Sequence, residues 1–107
     1  MAQRATRAKI GLAMSSTDSR AEWYARTFRE SAARAHQSGD RSRATILFEH
    51  ALNFTIDVLN EVLAQRPRDD IRIRILFEQA IECAEACGRL RKAKHLRKDL
   101  SDLLDAL

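Results

Sequence analysis

The chain has 107 residues, of which 45% are hydrophobic and 32% charged, and its formal net charge is +4. This length suits one domain around one core, and this composition excludes a chain that is disordered over most of its length. No apolar run approaches the roughly 20 residues that a membrane-spanning helix needs. Only three Gly and one Pro interrupt the chain, so we expect long helices rather than many short strands.

The first 17 residues are predicted to form a mobile basic arm ahead of a single helical domain over 18–107. The arm carries Arg4, Arg7 and Lys9 and no acidic residue. Its longest apolar piece is too short for a secretory signal, although an Arg-bearing start without acids also fits an organelle transit segment. Two cysteines without a secretory signal are typical of a reducing compartment, so we expect a cytoplasmic protein that does not enter the membrane.

Hydrophobic residues that recur every three to four positions predict helices along the rest of the chain. Ser19 and Glu22 have the spacing of a capping box, Gly39 and Gly88 suit the ends of helices, and Pro67 stops the central one. The predicted helices are α1 (19–37), α2 (41–65), α3 (71–87) and α4 (89–107), joined as two hairpins (19–65 and 70–107) through a linker (66–69).

One pattern of small residues, glycine and leucine occurs twice, 49 residues apart. The two copies are Ala35-x3-Gly39-x4-Ala44-x2-Leu47 and Ala84-x3-Gly88-x4-Ala93-x2-Leu96, preceded by the equivalent residues Phe28 and Phe77. Small Ala residues let two helices approach closely, and Gly takes the left-handed conformation that ends the first of them. The repeat therefore predicts an all-α fold of two antiparallel helical hairpins.

The first copy, within residues 25–55, resembles the core of a tetratricopeptide unit and equally the first turn and helix of microtubule-interacting-and-trafficking (MIT) domains. The matching residues are Ala35, Gly39, Asp40, Ala44, Phe48, Ala51 and Leu52. A weaker second copy covers 77–100. Tetratricopeptide units repeat at about 34 residues, and the longer period here reflects the length of α2. The resemblance implies a protein-binding module, built as a four-helix bundle or a short tetratricopeptide-like stack.

The expected function is that of an adaptor or chaperone-like protein that seats a partner helix or peptide in a groove beside α2. The predicted contact residues are Trp23, Tyr24, Phe28, Arg43 and Phe54. Trp23 lies about 150° from the apolar stripe of α1, which suits an interface anchor. The alternative is that Trp23 packs under the N-terminal arm, against Ile10 or Leu12.

The basic residues support a second hypothesis, a small helical accessory subunit of a nucleic-acid-binding complex. Candidate contacts to phosphate or acidic groups are Arg4, Arg7, Lys9, Arg41, Arg66 and Arg68. α4 is also basic, but folding α3 and α4 back about Gly88 would set acids of α3 against it. The ion pairs predicted from this register are Glu85–Arg91, Glu82–Lys94, Glu78–Lys98 and Arg74–Asp102. Because these pairs would neutralise much of α4, we expect a protein partner rather than nucleic acid.

Cys83 and Cys87 stand four positions apart on one helix face, a spacing that two metal ligands can have. Nothing in the spacing of the three histidines supplies the further ligands, so we expect packed thiols, no metal and no other cofactor. No catalytic constellation or phosphate-binding loop occurs, so we expect no enzyme.

Two hairpins are few for a helical stack, because arrays of this kind generally need three or more units to cover their apolar faces. Leucines at three- and four-residue spacing from Leu96 onwards resemble a short coiled-coil seam. We therefore also expect a homo-oligomer, formed through α4 or through an open face of α2.

Overall fold

A computed structural model describes residues 19–106, and within them the chain forms four α-helices and no strand. The helices are α1 (Arg20–Gln37), α2 (Arg41–Ala64), α3 (Asp70–Ala86) and α4 (Leu90–Asp105). The predicted all-α fold of two helical hairpins is confirmed, and every helix begins and ends within two residues of its predicted bounds.

Polar side chains at the helix starts explain three of these bounds. The Ser19 hydroxyl accepts a hydrogen bond from the backbone N–H of Glu22 at 3.1 Å, and Asp40 and Asp69 cap α2 and α3 with bonds of the same length. Each cap satisfies an amide that has no partner inside its helix. The capping box is only half formed, because the Glu22 carboxylate pairs with Arg72 of α3 instead of turning back to Ser19.

The two hairpin turns have the same backbone structure. Gly39 has φ +85°, and the N–H of the next residue, Asp40, donates to the Ala35 carbonyl at 2.9 Å. The second turn has Gly88 at φ +82° and the equivalent hydrogen bond at 2.7 Å. A positive φ is strained for any residue with a Cβ, which is why glycine ends both first helices. The 49-residue repeat is thus a repeat of structure as well as of sequence.

The helices pack in chain order, α1 on α2, α2 on α3 and α3 on α4. Within the described residues no broad interface joins α1 to α4. Along its three principal axes the structure measures 48 × 41 × 15 Å. A closed bundle would bring its first and last helices together, so the arrangement is an open stack of two hairpins. The main core lies between α2, α3 and α4 and contains Leu52, Val58, Leu59, Val62, Ile73, Leu76, Phe77 and Leu96.

Candidate partner-binding flank

Five ring-bearing side chains form a continuous row where α1 meets α2. Tyr24 and Phe54 stack with ring centroids 5.0 Å apart, and Phe54 stacks on Phe28 at 5.7 Å with an interplanar angle of 6°. Phe28 also meets the His50 ring at 5.2 Å, and Trp23 places its edge against Tyr24 at 5.2 Å. We call these five residues the aromatic row. Stacked and edge-on aromatic pairs hold one another in a fixed geometry.

The aromatic row lies on the side of the first hairpin that faces away from α3. Glu22 forms an ion pair with α3, and Tyr24, two residues later, points about 160° away from it around α1. On α2, Phe48 lines a cleft that reaches α3, and Phe54 points about 120° away from Phe48. Tyr24 and Phe54 therefore point away from α3, whereas Phe28, deeper in the row, packs against the main core.

The row is exposed at both ends, at Trp23 and at His50. Trp23 is 49% exposed and Tyr24 38% exposed, whereas Phe28 and Phe54 are half-buried. Single exposed apolar residues are ordinary on protein surfaces, but contiguous aromatic surface is a common mark of an interaction site. Here two exposed rings continue into two half-buried ones, so the exposed surface is contiguous.

The second hairpin shows what an equivalent surface looks like when it is covered. Adding 49 to a residue number gives its counterpart, so Tyr24 corresponds to Ile73 and Phe28 to Phe77. Ile73 is 0% exposed and Phe77 5% exposed, in the core that α3 shares with α2. No helix of residues 19–106 lies beside α1 as α2 lies beside α3. Tyr24 and Phe28 of the aromatic row are thus the counterparts of residues that are buried in the second hairpin.

The other end of the same surface is cationic. Ser31, Arg34, Ala35, Ser38 and Arg43 line a cleft of about 390 Å³ next to the first turn. The Arg34 guanidinium donates to the Ser31 hydroxyl at 3.1 Å. Within the described part of the chain, no carboxylate lies within 4 Å of either guanidinium. Two guanidinium groups are therefore available to an anionic ligand.

The cleft and the aromatic row belong to one surface, which we call the open flank. On α2 the residues at positions 43, 47, 50 and 54 share one face, because their spacing follows the helical repeat. Arg43 and Phe54 are eleven residues apart, which corresponds to about 16 Å along the helix. The flank therefore joins an aromatic end to a cationic end across about three helical turns.

All five contact residues predicted from the sequence lie on the open flank, four of them in the aromatic row and Arg43 in the cleft. His50 and Arg34 were missed. The spacing that puts His50 on the same face as Arg43 and Phe54 could have identified it, whereas Arg34 meets Arg43 only because the first turn brings α1 and α2 together. The proposed contact of Trp23 with Ile10 or Leu12 lies outside the described residues.

Of the basic residues proposed for phosphate contacts, the three that the structure describes do not form one surface. Arg66 donates to the carbonyls of Leu63 and Gln65 at 2.8 and 2.7 Å, and so closes the end of α2. Arg68 pairs with Asp70 at 3.4 Å. Arg41 is exposed and lines the cleft between α1 and α3, on the other side of α2 from the open flank. Arg4, Arg7 and Lys9 lie outside the described residues.

The predicted ion pairs between α3 and α4 are wrong. The carboxylate of Glu85 pairs with Arg97 rather than with Arg91. The pairs Arg74–Glu78 and Lys98–Asp102 form within single helices, at 3.6 and 3.0 Å. A long side chain reaches about a turn along its own helix, so facing positions alone do not fix its partner.

Because of this difference the first half of α4 keeps its positive charge. Arg91, Lys92, Lys94 and His95 are exposed, and no carboxylate of residues 19–106 pairs with them. α4 also begins without a side-chain cap or an acidic residue in its first turn. The expected neutralisation of α4 is therefore absent from this part of the helix.

Cys83 is a core residue, and burial raises the pKa of its thiol to about 11. The thiol of Cys87 is half-buried and lies 3.5 Å from the Ala84 carbonyl. In the described part of the chain no three His, Cys, Asp or Glu side chains are grouped closely enough to hold a metal ion. The two cysteines thus have the surroundings of packed thiols.

No protein-family model, curated protein or solved structure matches this chain. Among the described helices none is both long and apolar enough to cross a membrane.

Proposed function

We propose that this chain is a non-enzymatic protein-interaction module, adaptor or chaperone-like, that binds a helix of another protein along the open flank. One observation carries the proposal: Tyr24 and Phe28 of the aromatic row are the counterparts of two residues of the second hairpin that are buried in the core between α2, α3 and α4. In stacked helical hairpins each unit is completed by its neighbour. A helix from a partner would complete the first hairpin as α2 completes the second.

The position of α4 supports the same proposal. Leu96 is buried and Leu100 and Leu103 pack against the core, while the outer side of α4 is mostly charged, with Leu90 and Leu104 as its exposed apolar residues. The far end of the stack therefore resembles the polar cap of a helical array, whereas the near end does not. A partner helix is better suited to the near end, which is the open flank.

Site-specific photo-crosslinking in cells tests this proposal. A photoreactive phenylalanine analogue at Tyr24 is expected to crosslink to a second protein, through a helical segment. The matched control carries the analogue at Ile75, which is exposed and belongs to α3. Once the partner has been identified, Phe54→Ala is expected to weaken binding by about tenfold or more, as removal of a central aromatic anchor does. Equal crosslinking at both positions would refute a specific site.

Self-association is the alternative occupant of the flank. Leu96, Leu100 and Leu103 of the suggested α4 seam pack inside the chain, whereas Leu104 is 38% exposed. A homo-oligomer through the open flank would bring the flanks of two copies together about a two-fold axis. In that event the analogue at Tyr24 crosslinks only to the same chain. The mass measured by light scattering then rises with concentration in the wild type and stays at that of the monomer in Phe54→Ala.

The unpaired cations of α4 favour a second candidate function, binding to nucleic acid. Four exposed basic residues on one short segment provide phosphate contacts of the kind that non-specific binding uses. If this function holds, fluorescently labelled duplex DNA or single-stranded RNA binds at 50 mM salt and is released steeply towards 200 mM. Arg91→Glu with Lys94→Glu abolishes that binding, whereas Phe54→Ala leaves it unchanged. Capture of a helix on apolar surface is expected to change little with salt.

A further inference from the structure

We infer that the outer side of α4 binds the α4 of a second copy of this chain in an antiparallel arrangement. The basic half of each helix then lies against the acidic half of the other. The contact is at the far end of the stack and is independent of the open flank, on which the proposed function depends.

The charges of α4 are divided between its two halves. Its basic residues all lie at positions 91–98, and its three acidic residues all lie at positions 99–105. Both kinds of charge are exposed on the side of the helix opposite its buried residues, Ala93 and Leu96. The outer side therefore changes from positive to negative near its middle. Its charged residues are Arg91, Lys94, Lys98, Asp102 and Asp105.

This division of charge does not stabilise α4 itself. A helix favours acidic residues in its first turn and basic residues in its last turn, because these interact with its dipole. α4 has no acidic residue in its first turn, no basic residue in its last turn and no side-chain cap at its start. Its charges therefore oppose the dipole at both ends, which points to a contact outside the helix.

The rest of the chain compensates these charges only in part. Of the described helices α3 alone packs broadly on α4, and Arg97–Glu85 is the only ion pair across that interface within residues 19–106. Lys98 pairs with Asp102 along α4 itself. Arg91, Lys94 and Asp105 pair with no group of opposite charge in this part of the chain. Both halves therefore keep charge for a partner.

A second copy of α4 matches this pattern in one direction only. In a parallel pair like charges would meet along the whole helix, whereas in an antiparallel pair each basic half meets an acidic half. A two-fold axis across the middle of α4 produces this arrangement. The match is between halves, so it does not depend on which individual side chains pair. Charge complementarity thus selects a homodimer with antiparallel α4 helices.

The two exposed leucines of α4 agree with the same axis. Leu90 is 67% exposed and Leu104 38% exposed. They are fourteen residues apart, which is about four helical turns, so they lie on the same side of the helix. Their midpoint, position 97, is next to the boundary between the basic and acidic halves. An axis there brings Leu90 of each copy to Leu104 of the other copy.

The surroundings of Leu90 also suit this contact. It adjoins the basic half directly, in a cleft of about 500 Å³ that opens on the outer side of α4. The other residues of the cleft are Arg91, Lys94, His95 and Lys98. An apolar side chain flanked by acids, as Leu104 is by Asp102 and Asp105, fits this combination of a leucine and cations.

The test compares the full chain with two charge-reversed variants by sedimentation velocity. Arg91→Glu with Lys94→Glu makes the basic half acidic, and Asp102→Lys with Asp105→Lys makes the acidic half basic. Both changes agree better with the dipole of α4, so both variants are expected to stay folded, which circular dichroism checks. Wild type is expected to dimerise weakly at low salt. Each variant alone is expected to have a dissociation constant about tenfold or more higher.

An equal mixture of the two variants is the decisive measurement. In an antiparallel heterodimer the new acidic half of one variant lies against the new basic half of the other, and the two unchanged halves also match. Association is therefore expected to return to the wild-type level in the mixture. For wild type and mixture alike it is expected to weaken between about 0.1 M and 1 M salt, because the screening length falls from about 10 Å to about 3 Å.

Phe54→Ala is the control, because Phe54 lies on the open flank, and it is expected to associate as wild type does. If Phe54→Ala is monomeric instead, the two copies meet through the open flank and the α4 contact is refuted.

Three other results would also overturn the contact while leaving helix capture on the flank intact. Wild type that is free of nucleic acid stays monomeric at low salt, as expected if the cations of α4 serve nucleic acid alone. The charge-reversed variants associate as strongly as wild type, so that the two charged halves do not hold the copies together. The mixture of variants stays monomeric, so that the halves do not meet in the antiparallel direction.

Discussion

The two hairpins share one turn and one repeat, yet equivalent residues have different surroundings. Phe77 and Ile73 are buried in the second hairpin, whereas their counterparts Phe28 and Tyr24 are half-buried and exposed in the first. The local sequence does not explain this difference, because an aromatic residue precedes the same Ala and Gly in both copies. The difference arises from the neighbour: α2 covers α3, and nothing in the described part of the chain covers α1 in the same way.

This comparison separates two contributions to burial. The turn, with its glycine at positive φ and its small residues, is determined within each hairpin. The burial of the face beyond the turn is determined between hairpins. A surface that is built like a core but lacks its neighbour is therefore a specific indication of a binding site.

The largest effect is expected for the two equivalent phenylalanines. Phe77→Ala removes a ring from the core and is expected to lower the free energy of unfolding by about 3–5 kcal/mol. Phe28→Ala removes a ring with solvent on one side, and about 1–2 kcal/mol is expected because less area is lost from contact. Urea unfolding followed by circular dichroism measures both.

Equal losses at Phe28 and Phe77 would contradict the comparison, because they would show that the two rings are equally covered. Phe77→Ala takes a large part of the stability of a small domain, which is typically 5–15 kcal/mol. If it does not fold, Phe77→Leu and Phe28→Leu provide the same comparison with smaller losses.

The second prediction concerns the dependence of stability on pH, and it tests whether water is excluded from the face of α3 beneath α2. Burial raises the pKa of Cys83 to about 11, whereas its counterpart Arg34 is exposed. Between pH 9 and 11 the unfolded chain loses the thiol proton and the folded chain keeps it, so stability falls as pH rises. The expected loss across this range is up to ~3 kcal/mol, from about 1.4 kcal/mol per pKa unit.

The control for the pH effect is Cys83→Ala, which removes the thiol but leaves the other groups that titrate in this range. The difference in unfolding free energy between wild type and Cys83→Ala is expected to shrink as pH rises from 9 to 11. A constant difference would mean that the thiol titrates alike in both states, and that the face of α3 beneath α2 admits water.

Much of the fold could be predicted from the sequence, because its determinants are local. Gly39 and Gly88 ended their helices where expected, Asp40 and Asp69 capped the next ones, and the 3–4 periodicity gave the helix bounds. The sequence pattern did not distinguish a closed bundle from an open stack, because the arrangement depends on which helix faces meet and not on the pattern along any one helix.

The site could be predicted in part. Trp23 was expected to be a contact residue because it lies off the apolar stripe of α1, Arg43 was named beside it, and the structure places both on one flank. The cleft formed with Arg34 was not predictable, because it requires the two helices to be placed side by side. The predicted ion pairs of α4 were wrong for a similar reason, because flexible side chains such as Arg97 pair with residues about a turn away from the facing position.

The smallest effect on stability is expected for Trp23, and its size tests directly whether the open flank is uncovered in the free chain. Trp23 is 49% exposed, and its contact in the aromatic row is limited to an edge-on contact with Tyr24. The substitution Trp23→Phe is therefore expected to change stability by no more than about 0.5 kcal/mol. Thermal unfolding of the full chain, followed by circular dichroism, measures the change, and Ile46→Ala is a matched exposed control. A loss above about 1 kcal/mol would show that another part of the chain already covers the flank. The open flank would then be an internal surface, and a partner helix would have to displace that segment in order to bind.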